Sequence, residues 1–142
     1  MSERSTTTVI NPNSLGVVLP LPLFDFTHSS ETRPTVVFRS EFAGEGDPIL
    51  GDKLMAEFMQ ALLIHPEPPR AMLFYNSAIH LILEESPLLE PIRQLASRGS
   101  EVLICRTSLQ MLAPGQQPAV GTAAAMAELI DRMRQARLLL WP

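Results

Sequence analysis

The chain has 142 residues, 46% of them hydrophobic and 18% charged, with a formal net charge of -4. That length fits one domain, which would bury roughly two-thirds of the surface its unfolded form exposes. The apolar surplus suits self-association, so a homo-oligomer is expected. Acidic balance and scattered arginines supply no basic field for phosphate backbones, and nucleic acid is not an expected partner. Cys105 is the one cysteine, so no internal disulfide can form, and no Cys/His pair stands at zinc-like spacing; a reducing, cytoplasmic setting without a metal follows. No apolar run approaches the roughly 18 residues of a membrane-spanning helix, and no membrane is expected as a partner.

Residues 1 to 33 read as an N-terminal arm, docked or partly disordered. Met1 to Ser14 is rich in Ser, Thr and Asn and lacks periodicity. The apolar stretch Leu15 to Phe26 faintly resembles a leader, but Pro20 and Pro22 interrupt it, Asp25 follows, and no small-residue cleavage site comes after. It is too proline-rich for a helix or a central strand, yet too apolar to be left in water. The arm is therefore expected to dock, on its own domain or across a subunit boundary.

From residue 34 short apolar runs alternate with helical stripes. Thr35-Val-Val-Phe reads as a strand that opens at Ser40 into the acidic loop Glu41 to Asp47. Asp47 offers a capping oxygen and Pro48 a first helical position; Leu50, Leu54, Met55, Phe58, Met59, Leu62 and Leu63 then form one apolar stripe that stops near His65-Pro66. Ala71-Met-Leu-Phe-Tyr is a second strand and Glu101-Val-Leu-Ile-Cys a third, each a near-continuous apolar run suited to a sheet covered on both faces. Between them lie an amphipathic turn, Ala78 to Leu83, and a helix starting at Ser86-Pro87 or Glu90-Pro91 and ending at Gly99. Thr122 is placed to cap a helix whose Met126, Leu129, Ile130 and Met133 face the core, and Arg137 to Trp141 reads as a last strand. This alternation predicts an α/β three-layer sandwich with a mostly parallel sheet, flavodoxin-like in outline.

In such sheets ligands collect beyond the carboxyl ends of the strands, where strand order reverses. Those ends carry Ser40 after the first strand, Asn76 and Ser77 after the second, and Cys105, Arg106, Thr107 and Ser108 after the third. A thiolate at a strand end leading into a helix is stabilised by converging N–H groups, so Cys105 is the candidate reactive atom, with the six others as binding residues. The plainer reading makes Cys105 a small hydrophobe closing a strand. His80 stands near the same ends as an acid–base candidate or a solvated helix residue. The acidic loop of Glu41, Glu45 and Asp47 matches no calcium spacing, and capping accounts for Asp47. Met55, Met59, Met126 and Met133 read as core or subunit interface.

Several stretches from Thr35 onward resemble the DsrE/DsrF-like family, and within it the DsrE-like domain of the YedF group, described as sulfurtransferase-like proteins of selenium metabolism. They are Ser40 with Gly46-Asp47 and Leu50-Gly-Asp-Lys-Leu-Met, Phe74-Tyr-Asn-Ser-Ala, Gly99, Cys105-Arg-Thr-Ser-Leu, and Ala119-Val-Gly with Met126. The resemblance implies a parallel sandwich, a homo-oligomer and a place in cytoplasmic sulfur relay, with sulfur donor and acceptor proteins or small sulfur species as partners and no cofactor. It adds weight to Cys105 as a persulfide carrier. Where that group commonly has Cys-x-x-Cys, this chain has Cys105 and Ser108, so no resolving thiol exists within one subunit. No Cys-Pro motif precedes Arg33, which reads as a free-standing DsrE-like domain. The alternative is a non-catalytic oligomeric binding module with a small-anion or partner-peptide pocket at the strand ends.

Overall fold

The computed structural model describes residues 32–142, so the arm lies almost wholly outside the described residues. Among these residues the strands are β1 (Thr35–Phe38), β2 (Ala71–Phe74), β3 (Glu101–Cys105), β4 (Thr122–Ala124) and β5 (Leu139–Leu140). They pair in parallel throughout, in the order β4-β3-β2-β1-β5. Helices α1 (Pro48–Ile64), α2 (Leu89–Ser97), α3 (Arg106–Leu112) and α4 (Met126–Gln135) alternate with them, and a 3₁₀ segment, Asn76–Ile82, follows β2.

Topology dictates which face each helix covers. The chain steps in one direction from β1 to β4, and right-handed crossovers place α1, α2 and α3 on the same face. Only the connection from β4 back to β5 runs the other way, and it carries α4 to the opposite face. The strands' period-2 alternation follows this division. Val36, Phe38, Met72, Phe74, Val102 and Ile104 pack with Met55, Met59, Ile92 and Leu95, and the rings of Phe38 and Phe74 stack at 4.6 Å. Val37, Ala71, Leu73, Leu103, Cys105 and Ala124 pack on the other side with Leu129 of α4.

Local chemistry fixes the element boundaries. Asp47 accepts the Ile49 N–H at 2.9 Å and Pro48 opens α1. At the other end of α1 the Arg98 guanidinium donates to the carbonyls of Leu63, His65 and Pro66, supplying partners for a helix end that has run out of its own. Gly99, at φ 110°, ends α2.

Four expectations need correction. Thr122 does not cap a helix: Thr122–Ala124 is itself a strand beside β3, and α4 starts at Met126 behind Ala125, which makes no side-chain cap bond. Of the residues expected to turn α4 inward, only Leu129 is buried, and Met126 and Ile130 stay exposed, because a single short helix touches this face along one narrow line. In α1 the contact line is Met55, Met59 and Leu62, which leaves Leu50 and Leu54 exposed. The last strand is confined to Leu139 and Leu140; beyond it Trp141 carries the Arg39 guanidinium over its ring at 5.1 Å.

Gly121 makes the approach of β4 to β3 possible. Its φ is 83°, and a Cβ there would lie 2.5 Å from Val102 Cγ1 and 2.6 Å from the Val102 carbonyl oxygen. Gly115 has a similar φ, 81°, but faces open space. Gly121→Ala is therefore expected to cost the left-handed penalty of about 1–2 kcal/mol plus an overpacking cost of about 1–3 kcal/mol, whereas Gly115→Ala meets only the first. Denaturant midpoints measure the difference, and equal losses for the two variants would contradict this account of β4.

Candidate functional site

The β2, β3 and β4 ends converge on a shallow depression of about 420 Å³. Cys105, the last residue of β3 and the cap position of α3, contributes its floor; Asn76, Thr107 and Ser108 supply polar groups. Tyr75, Met111, Leu112 and Met126 make an apolar rim. Met111 is 75% exposed, so the rim is open to solvent on the α3 side.

One hydrogen bond holds the polar wall together. The Asn76 N–H donates to Ser108 Oγ at 2.8 Å, joining the end of β2 to the first turn of α3. Asn76 sits at φ 55°, a left-handed conformation that Asn tolerates better than most residues. Because the Ser108 oxygen already accepts this bond, its own hydroxyl proton is left to donate to an occupant.

Cys105 is nearly enclosed. The residue is 3% exposed and packs among Leu73, Leu103, Ala124 and Leu129, with Tyr75 and Met133 alongside. The direction follows from strand alternation: residue 105 shares the α4 face with 103, and α4 lies over it. Its sulfur is thus at once a member of the second core cluster and the base of the depression.

The seven residues singled out in the sequence are not all brought together. Cys105, Asn76, Thr107 and Ser108 line the depression; Ser40, Ser77 and Arg106 are not among its lining residues. Ser40 Oγ accepts the Phe42 N–H at 3.1 Å and shapes the loop after β1. Arg106 opens α3 and is exposed. Strand order reverses between β1 and β5, so the depression lies over β2–β4 and away from the reversal. His80 stands apart from the lining too: its Nδ1 is 3.6 Å from Glu41 Oε2, beyond hydrogen-bond range, and has no hydrogen-bond partner among the described residues.

Sequence reasoning missed the apolar rim. Tyr75 was legible as a strand end, but nothing in the periodicity distinguishes Met111 and Leu112 from a core stripe, and Met126 reads as core until β4 is known to displace the start of α4.

Among the described residues no helix is long and apolar enough to cross a membrane. No family model matches the chain, and no curated protein matches it. Solved structures do. The YchN protein of E. coli superimposes with a TM-score of 0.52 at 12% identity, over 77% of this chain and 99% of YchN. MTH1491 of Methanobacterium thermoautotrophicum, a protein of unknown function, gives 0.51 at 13% identity over 77% and 99%. At such identity the likeness concerns the fold alone, a three-layer α/β arrangement around a parallel sheet.

Proposed function

We propose that this chain is a small cytoplasmic sulfur-relay protein, working as a homo-oligomer, in which Cys105 carries sulfane sulfur between a donor and an acceptor. The observation that supports this reading is the position of Cys105 at the floor of a depression whose wall offers Asn76, Thr107 and Ser108. The step needs no metal or organic cofactor. The Cys105 thiolate attacks the outer sulfur of a donor persulfide R–S–SH; the new S–S bond forms as the donor's S–S bond breaks, R–S⁻ leaves, and Cys105–S–SH remains. Hydrogen bonds from Thr107 and Ser108 would steady the added charge. With the sulfur so enclosed, a donor must be small or must part the Met111 and Met126 rim. Ser108 is unable to resolve the persulfide as a thiol would, so delivery requires an external acceptor.

A second reading is favoured by one specific observation, the 3% exposure of Cys105. Here the depression binds a small anion or a partner peptide, and Cys105 only packs. Treatment with a small persulfide donor followed by intact-mass analysis separates the two. The carrier reading predicts a gain of one sulfur on the wild type that Cys105→Ser lacks. No gain, or an equal gain on both proteins, would eliminate it.

The Asn76–Ser108 bond gives a second expectation. Ser108→Ala deprives the Asn76 N–H of its acceptor and is expected to cost about 1 kcal/mol, read as a lower denaturant midpoint, and to reduce the extent of sulfur loading. Unchanged stability and loading would mean that this bond does not organise the wall.

A further inference from the structure

A second concavity, of about 550 Å³, lies at the opposite side of the sheet from the depression, between α1 and β5. Phe58, Ala61 and Leu62 form one wall; Leu138 and Leu140 form the other, closed below by Pro69. Its character is apolar, and α1 ends beside it in an 80%-exposed Ile64. Among the described residues the adjoining strand has an open edge. β5 pairs with β1, and no other strand among the described residues pairs with its far side. Leu138 and Leu140 turn toward the α1 face and Leu139 toward the α4 face, as strand alternation requires.

We propose that this groove and edge are the seat of the chain's own arm, with Leu19, Leu21 and Leu23 added as an antiparallel strand against β5. Three observations carry the assignment. The first is location: the described chain begins at Thr32, and Thr32 and Pro34 themselves line the groove. To reach β5's outer edge from β1 the chain crosses two strand spacings, roughly 9–10 Å. The seven residues Asp25 to Glu31 reach at most roughly 23–25 Å.

The second is hydropathy. Leu15 to Phe26 contains one charged residue, Asp25, and the groove is an apolar surface of matching character beside the point where the chain arrives.

The third is the placement of the prolines. Along a strand the N–H groups of alternate residues point to opposite sides, so an edge strand needs donors only at every second position. Pro20 and Pro22 are two apart and share one side. If they face outward, the alternate residues Leu19, Leu21 and Leu23 face β5 with all their N–H groups available, and their side chains fall together on one face, where the groove lies. The outer side of the added strand is then without donors at both prolines, which protects it from pairing with a further chain. A mostly parallel sheet carrying one antiparallel edge strand is a common arrangement.

Amide hydrogen exchange on the full chain tests this assignment. The amides of Leu19, Leu21 and Leu23 are expected to exchange at least tenfold more slowly than those of Val18 and Phe24. Ala61→Arg, at an exposed wall position, puts a charged side chain in the groove and is expected to abolish that protection while amides of β1 to β3 keep theirs. Leu21→Asp is expected to do the same from the arm's side, so the test survives if either variant folds poorly. Unprotected leucines in the wild type would overturn the proposal, as would protection that neither variant alters. Protection lost on dilution would also overturn it, by showing that the occupant is the arm of a second copy.

Discussion

The constraint that organises this molecule is the handedness of its crossovers. Four strands laid down in one direction commit α1, α2 and α3 to a single face, and one backward connection leaves α4, among the described residues, as the one helix on the other. The face of β3 on which residue 105 emerges is thereby fixed as the α4 face, and its cysteine comes to rest under Leu129. Both the chemical interest of Cys105 and its enclosure follow from that one arrangement.

Much of the fold was legible because the core strands are short, nearly continuous apolar runs, and because Asp47-Pro48 and Gly99 mark helix ends in ways that local chemistry explains. What escaped was β4. Thr122-Ala-Ala has neither bulk nor alternation, and it is held in place by the absence of a side chain at Gly121 and by its register with Leu103, Ile104 and Cys105, which are tertiary facts. Missing that strand shifts the apparent start of α4 and turns Met126 from a rim residue into a core residue. Arg98 was equally invisible, since its carbonyl partners at and just beyond the end of α1 lie more than thirty residues away.

The candidate site was half legible. Positions 76, 105, 107 and 108 come together because β2 and β3 are neighbours in register and α3 follows β3 directly. Ser40 lies in the loop after β1, one strand further, and Ser77 and Arg106 fall outside the lining although their neighbours in sequence line it. Strand-end reasoning identifies which loops meet; it does not identify which side chains in those loops turn inward. Nor does it foresee burial of the sulfur, which depends on a helix from the far end of the chain.

On the carrier reading, Cys105 is a buried sulfur reached only from the floor of a shallow depression with Met111 and Met126 on its rim. Comparing its rates of reaction with two thiol reagents of the same chemistry, a compact methylthiosulfonate and a bulky aromatic disulfide, tests that picture most directly. Rapid modification of the folded protein by the small reagent and strong discrimination against the large one is the predicted result; equal rates, or no reaction with either until the protein unfolds, would contradict it.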